Sequence, residues 1–108
     1  MKKLVAVPCF NEEDNIDSCI ESLLSLKNEK IDVFDILVVN DGSKDDTNKK
    51  LSQFGNLITV ISSKQNFGLS EVFNSILYFS REENYDQLII FDSDNQYPFE
   101  AVSYTHLT

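Results

Sequence analysis

Asp92, Ser93 and Asp94 follow an apolar run, Leu88-Ile89-Ile90-Phe91, and precede Asn95-Gln96-Tyr97-Pro98. A run of that kind reads as a buried strand. Two carboxylates one residue apart at its carboxyl end stand where open α/β sheets bind ligands. Hard oxygen donors paired on a loop suit a divalent cation, and such a cation usually accompanies a phosphate. A solvated acidic turn is the competing reading, because Asp and Asn favour turns. Two further runs end in the same way. Ile36-Leu37-Val38-Val39 leads into Asn40-Asp41-Gly42-Ser43, and Leu4-Val5-Ala6-Val7 leads through Pro8-Cys9-Phe10 into Asn11-Glu12-Glu13. Three such endings on one edge of a parallel sheet would make a site.

The elements between them are helical in pattern. Ile16, Cys19, Ile20, Leu23 and Leu24 follow the spacing of one helix face, and so do Leu69, Val72, Phe73, Ile76 and Leu77. Ser43 with Asp46 resembles a capping box opening a short polar helix that buries little beyond Leu51 and Phe54. Leu57-Ile58-Thr59-Val60-Ile61 is a fourth strand candidate. Strands are expected near Leu4–Val7, Ile36–Val39, Thr59–Ile61 and Leu88–Phe91. Alternating strands and helices argue for parallel strands joined by right-handed crossovers. Lys27 to Asp32 and Arg81 to Asp86 read as connections.

Taken together, four stretches resemble the motifs of family 2 glycosyltransferases of the GT-A fold, in the family's order and spacing. They are Pro8-Cys9-Phe10-Asn11-Glu12-Glu13, Val39 to Thr47, Asn66-Phe67-Gly68 with Asn74, and Asp92-Ser93-Asp94. The resemblance covers nearly the whole chain, but only the amino-terminal half of a typical catalytic domain. It implies a truncated three-layer α/β/α Rossmann-like nucleotide-sugar-binding half. The sheet should be mainly parallel, in the spatial order third, second, first, fourth strand. It also implies inverting transfer from a UDP or GDP sugar, usually with Mg2+ or Mn2+. It places Pro8, Asn11, Glu12, Asp41, Gly42, Asn66, Gly68, Asp92 and Ser93 at the nucleotide sugar, and Asp92 and Asp94 on the metal.

The chemistry suits those residue types. Asp41 resembles the family's base-recognising Asp, and a carboxylate accepts ring N–H donors well. Glu12 or Asp92 could accept from the ribose hydroxyls. A cation on Asp94 would reverse the sign of the site toward a diphosphate. Gly42 permits a tight turn with a close backbone approach, and Gly68 could do the same before the third helix. Each residue has a plainer alternative. Glu12 and Glu13 suit a helix amino terminus. Asp41 could be a turn residue, Asn66 a loop residue and Lys64 a solvated lysine. Asp45 and Asp46 read as capping and dipole residues, and Cys9 and Cys19 as small buried hydrophobes.

The branch of the family is legible in fewer residues. Asp94-Asn95-Gln96-Tyr97-Pro98 and Asn66 to Ser70 are similar to the polyprenol-phosphate sugar transferases related to dolichol-phosphate mannose synthase. A lipid-phosphate acceptor is therefore expected, with saccharide and protein acceptors as the alternatives. The acceptor half and its catalytic base have no counterpart in these residues. Val102 to Thr108 back-translates to GTC-TCT-TAT-ACA-CAT-CTG-ACG, which resembles a transposase sequencing adapter. The expectation is a nucleotide-sugar-binding part over 1–101 and a non-native tail over 102–108. The only histidine, His106, lies in that tail and is assigned no chemistry. With later elements missing, an uncovered edge at the fourth strand should leave the chain poorly stable.

Two rivals remain. A haloacid-dehalogenase-type phosphatase also places Asp-x-Asp after an apolar strand, but a Thr or Val normally stands where Gln96 is. The other is a catalytically inactive nucleotide-binding fragment. Composition is consistent with one domain: 108 residues, 42% hydrophobic and 25% charged. A net charge of −9 disfavours nucleic acid. Two cysteines without a scaffold pattern, no signal peptide and no apolar run of membrane length suggest a cytoplasmic location. Membrane association, at a cytoplasmic face, would come only through parts outside these residues.

Overall fold

The structure is a computed structural model that describes residues 2–28 and 33–91 and, as backbone, 102–105. The elements are β1 (Lys3–Cys9), α1 (Ile16–Asn28), β2 (Asp35–Asp41), α2 (Thr47–Ser52), a 3-10 turn (Gly55–Leu57), β3 (Thr59–Ser63), α3 (Leu69–Glu82), β4 (Gln87–Ile90) and β5 (Val102–Thr105). They form one sheet in the order β3-β2-β1-β4-β5. The first four strands are parallel, with Val5 opposite Ile36 and Ile89, and Val38 opposite Val60. The expected order and direction of these four strands are therefore what is found.

Alternation along the strands makes two cores. Val5, Val7, Cys9, Ile36 and Val38 meet Ile16, Ile20 and Leu23 of α1 and Leu51 of α2. Leu4, Ala6, Leu37, Val39 and Leu88 meet Val72 and Ile76 of α3. Side chains of period 2 thus face helices on both sides, which is why β1 and β2 read as continuous apolar runs. The result is three layers with the helix starts gathered at the carboxyl edge of the sheet.

Four features differ from expectation. The strand expected near Thr59–Ile61 is found at Thr59–Ser63, and Leu57 N, donating to Phe54 O at 3.1 Å, closes the turn before it. Its apolar residues are not core. Val60 and Ile61 remain 38% and 37% exposed, because α3 packs over β1 and β2 and leaves β3 as an edge. The capping box at Ser43 does not form. Asp46 is the cap of α2 without a side-chain bond, and Asp45 Oδ1 instead accepts from Thr47 N at 3.0 Å. That is the i to i+2 pattern in which a short carboxylate closes on its own backbone. Helix α3 continues into the stretch read as a connection, with buried Ser80 satisfied through Oγ to Ile76 O at 2.7 Å.

The last difference concerns the strand edges. The edge of β4 expected to be uncovered is paired antiparallel with β5, Leu88 opposite Tyr104. An open strand edge templates any extended segment, native or not. At the amino edge of the sheet Tyr85 closes the bottom of the α3 core. Its hydroxyl donates to Asp35 Oδ2 at 2.7 Å, and Lys2 Nζ sits 4.4 Å from its ring centroid.

Candidate functional site

The carboxyl edge joins two loops, one after β1 and one after β2. Three consecutive backbone N–H groups of the first loop are received by side chains of the second. Asn11 N donates to Ser43 Oγ at 2.9 Å, Glu12 N to Thr47 Oγ1 at 3.0 Å and Glu13 N to Asp45 Oδ2 at 3.3 Å. The pairing is returned by Lys44 N to Asn11 Oδ1 at 2.8 Å and Asp46 N to Glu13 Oε2 at 3.3 Å. Lys50 Nζ adds a bond to Glu13 O at 2.5 Å. Asn11 lies at φ 52, a left-handed conformation that Asn tolerates better than most residues.

This arrangement uses up most of the N–H groups with which the first loop could hold phosphate. Rossmann dinucleotide folds use the N–H groups of the first strand-to-helix turn. Here those of residues 11–13 are taken, and Asn15 N and Ile16 N both donate to Glu12 O, at 3.0 and 2.8 Å.

The second loop is anchored by Asn40, which is fully buried at the end of β2. Its Nδ2 donates to Asn48 Oδ1 at 2.7 Å, and its Oδ1 accepts from Ser43 Oγ. Asp41, the next residue, points to the opposite face of the sheet. It is 5% exposed, yet it is an acceptor-only group with good partners. Phe67 N donates to Oδ1 at 2.9 Å and Gly68 N to Oδ2 at 3.0 Å. Asn66 Nδ2 approaches Asp41 O at 3.4 Å. Asp41 therefore fastens the loop after β3 to the end of β2. A cleft of about 250 Å³ opens beside it, lined by Ser63, Phe67, Glu71, Val72 and Ser75.

The glycines follow from this packing. The close approach expected at Gly42 is to the chain's own backbone. Gly42 has φ 72, and a Cβ there would stand 2.3 Å from the Gln65 carbonyl carbon and 2.5 Å from Asn66 N. Gly68 has φ 95 and open space around it, so its requirement is conformational. Gly42→Ala is expected to destabilise the chain by at least about 1 kcal/mol, from the left-handed backbone alone. Thermal melting beside Gly55→Ala, where φ is 53 and space is open, measures the added cost of the clash.

Cys9 and Asp45, both at this edge, are perturbed. Burial, helped by the Glu12 carboxylate, pushes the Cys9 thiol up to about 12, so it is inert as a nucleophile. Cys9 and Cys19 are both free and buried. For Asp45, desolvation pushes upward, but hydrogen bonds from the Thr47 hydroxyl and from backbone N–H groups outweigh it, and the carboxyl lies below its usual 3.8. A folded value below the unfolded one stabilises the fold above the unfolded value and is lost as pH falls through the folded one. Asp45→Asn should therefore lower stability at neutral pH, and the difference from wild type should shrink under acid. Melts from pH 7 to pH 2 check this, and a gap that widens in acid contradicts it.

Of the residues singled out in the sequence, Pro8, Asn11, Glu12, Asp41, Gly42, Asn66 and Gly68 gather at this edge. Pro8 lies in β1 opposite Val39. Asp92, Ser93 and Asp94 fall outside the described residues, as do Gln96 and His106. The last described residue before them, Phe91, is buried in the α1 core and donates from N to Ala6 O at 2.9 Å. Among the described residues no group of three His, Cys, Asp or Glu could hold a metal ion. Sequence reasoning missed Ser43, Asp45 and Thr47 as acceptors for the first loop, although all three lie within the motif around Asp41. It also gave no role to Phe10 and Phe67, aromatic rings left 42% and 56% exposed beside these loops.

A mainly parallel sheet with helices on both faces and a polar, loop-built carboxyl edge defines a Rossmann-like α/β domain. The model of glycosyl transferase family 2 matches residues 4–104, and the chain belongs to that family. The phosphatase reading falls with this result. The chain is 30% identical over 101 residues to an uncharacterized glycosyltransferase of Synechocystis sp., covering 91% of the chain and 31% of that protein. Its fold is that of a mannosyltransferase of Pyrobaculum calidifontis, solved in complex with GDP-Man and Mn2+ (TM-score 0.74, 21% identity, 91% of this chain and 29% of that one). It is also similar to glucosyl-3-phosphoglycerate synthase of Mycobacterium tuberculosis, solved with Mn2+, UDP and glucosyl-3-phosphoglycerate (TM-score 0.68, 28% identity, 86% of this chain and 33% of that one). The chain thus spans about a third of the length of these relatives.

Proposed function

We propose that the full-length protein transfers a sugar from a nucleotide-diphosphate donor with inversion, and that these residues form the nucleotide half of its site. The observation that carries this is the Asp41 carboxylate, an acceptor held in one orientation at the carboxyl end of β2. Two carboxylate oxygens offer about four acceptor positions. Phe67 N, Gly68 N and, at 3.4 Å, Ser63 Oγ take three, which leaves one for a base N–H. Glu12 is the proposed ribose acceptor on the neighbouring loop. Support comes from family membership and from relatives solved with UDP, GDP-Man and Mn2+.

Asp92 and Asp94 offer hard oxygen donors that fit Mg2+ or Mn2+. When bound, the cation would neutralise the diphosphate and stabilise its departure. The proposed acceptor is a polyprenyl phosphate, on the strength of Gln96 and the Asn66 to Ser70 stretch; a phosphoglycerate-like or saccharide acceptor is the alternative. We place the protein in the cytoplasm or at the cytoplasmic face of a membrane. Among the described residues no helix is long and apolar enough to cross one. Residues 102–108 are proposed as a non-native tail, which native codons through Thr108 at the parent locus would disprove. Calorimetric titration of UDP and GDP, with Mn2+ and with chelator, tests the donor reading. Binding of neither nucleotide under either condition contradicts it.

A further inference from the structure

We infer that Thr47, with Ser43 and Asp45, is a positioning residue for nucleotide binding: the three side chains hold the loop after β1 in register with the loop after β2. The inference rests on the nucleotide-sugar reading and adds a role that no ligand contact requires. The proposed ribose acceptor, Glu12, sits on one loop and the proposed base acceptor, Asp41, on the other. A ligand that touches both needs their spacing set in advance, because any ordering left to binding is subtracted from affinity.

Thr47 is built for that task. It is fully buried at the first position of α2. Its Oγ1 accepts from Glu12 N and donates to Asp45 Oδ1 at 2.5 Å, so the hydroxyl proton is already committed and the lone pair is aimed at the first loop. Asp45 then spends its other oxygen on Glu13 N, and Ser43 Oγ bridges Asn11 N to the buried Asn40. Each neighbouring N–H of the first loop has its own acceptor, so a slip of one residue would break all three bonds. The sequence separation is 32 to 35 residues, so neither loop can hold this geometry alone.

Thr47→Val keeps shape and removes the hydroxyl; Thr47→Ser keeps the hydroxyl. UDP and GDP affinity is measured by calorimetry on the chain, beside amide hydrogen exchange of residues 11–13 and thermal melting. Thr47→Val should exchange the Glu12 amide faster and bind nucleotide about fivefold to tenfold more weakly, the scale of one lost hydrogen bond. Thr47→Ser should restore both, a rescue that packing alone would not give. Should Thr47→Val fail to fold, Ser43→Ala decides, with faster exchange at the Asn11 amide and weaker binding expected. A folded variant with a fast-exchanging loop and wild-type affinity overturns the positioning role and leaves the nucleotide reading intact. A wild-type chain that binds neither nucleotide overturns both.

Discussion

Asp41→Asn is expected to loosen the loop after β3 and to weaken nucleotide binding, whether or not metal is present. The carboxylate now receives Phe67 N at 2.9 Å and Gly68 N at 3.0 Å, one on each oxygen. An amide offers one acceptor oxygen and an NH2 group, so one of those N–H groups would face another donor. Leaving a buried donor unmet costs more than the bond itself contributes. The same substitution removes the charged partner proposed for the base N–H. Loss of a charge-assisted hydrogen bond amounts to about 1.5–3 kcal/mol, or roughly tenfold to a hundredfold in affinity. Two measurements separate the two effects. Amide exchange at Phe67 and Gly68 in the ligand-free chain reports the loop, and calorimetry with UDP and GDP reports the base. Unchanged exchange would show that the loop does not depend on Asp41. Unchanged affinity would remove Asp41 from the nucleotide site.

That dual role shows where the sequence stops being legible. β1 and β2 could be read because both of their faces are covered, and apolar residues run unbroken from Leu4 to Val7 and from Ile36 to Val39. The helices could be read because Ile16, Ile20 and Leu23, or Val72 and Ile76, repeat at helical spacing and are buried. Asp41 and Gly42 could be marked as special by residue type. Ser43 could not be read correctly. In local sequence a serine three residues before an acidic side chain looks like a cap, but its partners are Asn11, 32 residues away, and Asn40. Asn40 was likewise silent, since a buried amide closing an apolar strand is explained only by Asn48 and Ser43 on the next turn. β3 misled in the other direction. Leu57 to Ile61 has the composition of a core strand, yet Val60 and Ile61 are over a third exposed because no helix is centred over the edge. Pattern reports what a segment can bury; topology decides whether anything arrives to cover it.

Asp94→Asn should abolish the tightening of nucleotide binding by Mn2+ while leaving binding in chelator nearly unchanged. The reason begins at the opposite loop. With the N–H groups of residues 11–13, 15 and 16 already bonded within the protein, the first turn has few donors left for a diphosphate. The chain itself carries a net charge of −9, and its proposed nucleotide contacts, Glu12 and Asp41, are acidic. Uncompensated, those charges repel the ligand they are meant to hold. A divalent ion on Asp92 and Asp94 would convert that repulsion into an attraction worth several kcal/mol. Removing one anionic donor should forfeit most of it, because an amide oxygen is a far weaker ligand for a hard cation than a carboxylate. Asp92→Asn should fall between Asp94→Asn and wild type if its carboxylate also touches the ribose, and should then weaken binding in chelator as well. Titrations of UDP and GDP against the three proteins, each with Mn2+ and with chelator, distinguish these outcomes. An Asp94→Asn protein whose affinity still rises with Mn2+ as in wild type would show that the metal is held elsewhere. The diphosphate would then need a cationic partner among residues such as Lys64, which lies exposed on the loop after β3.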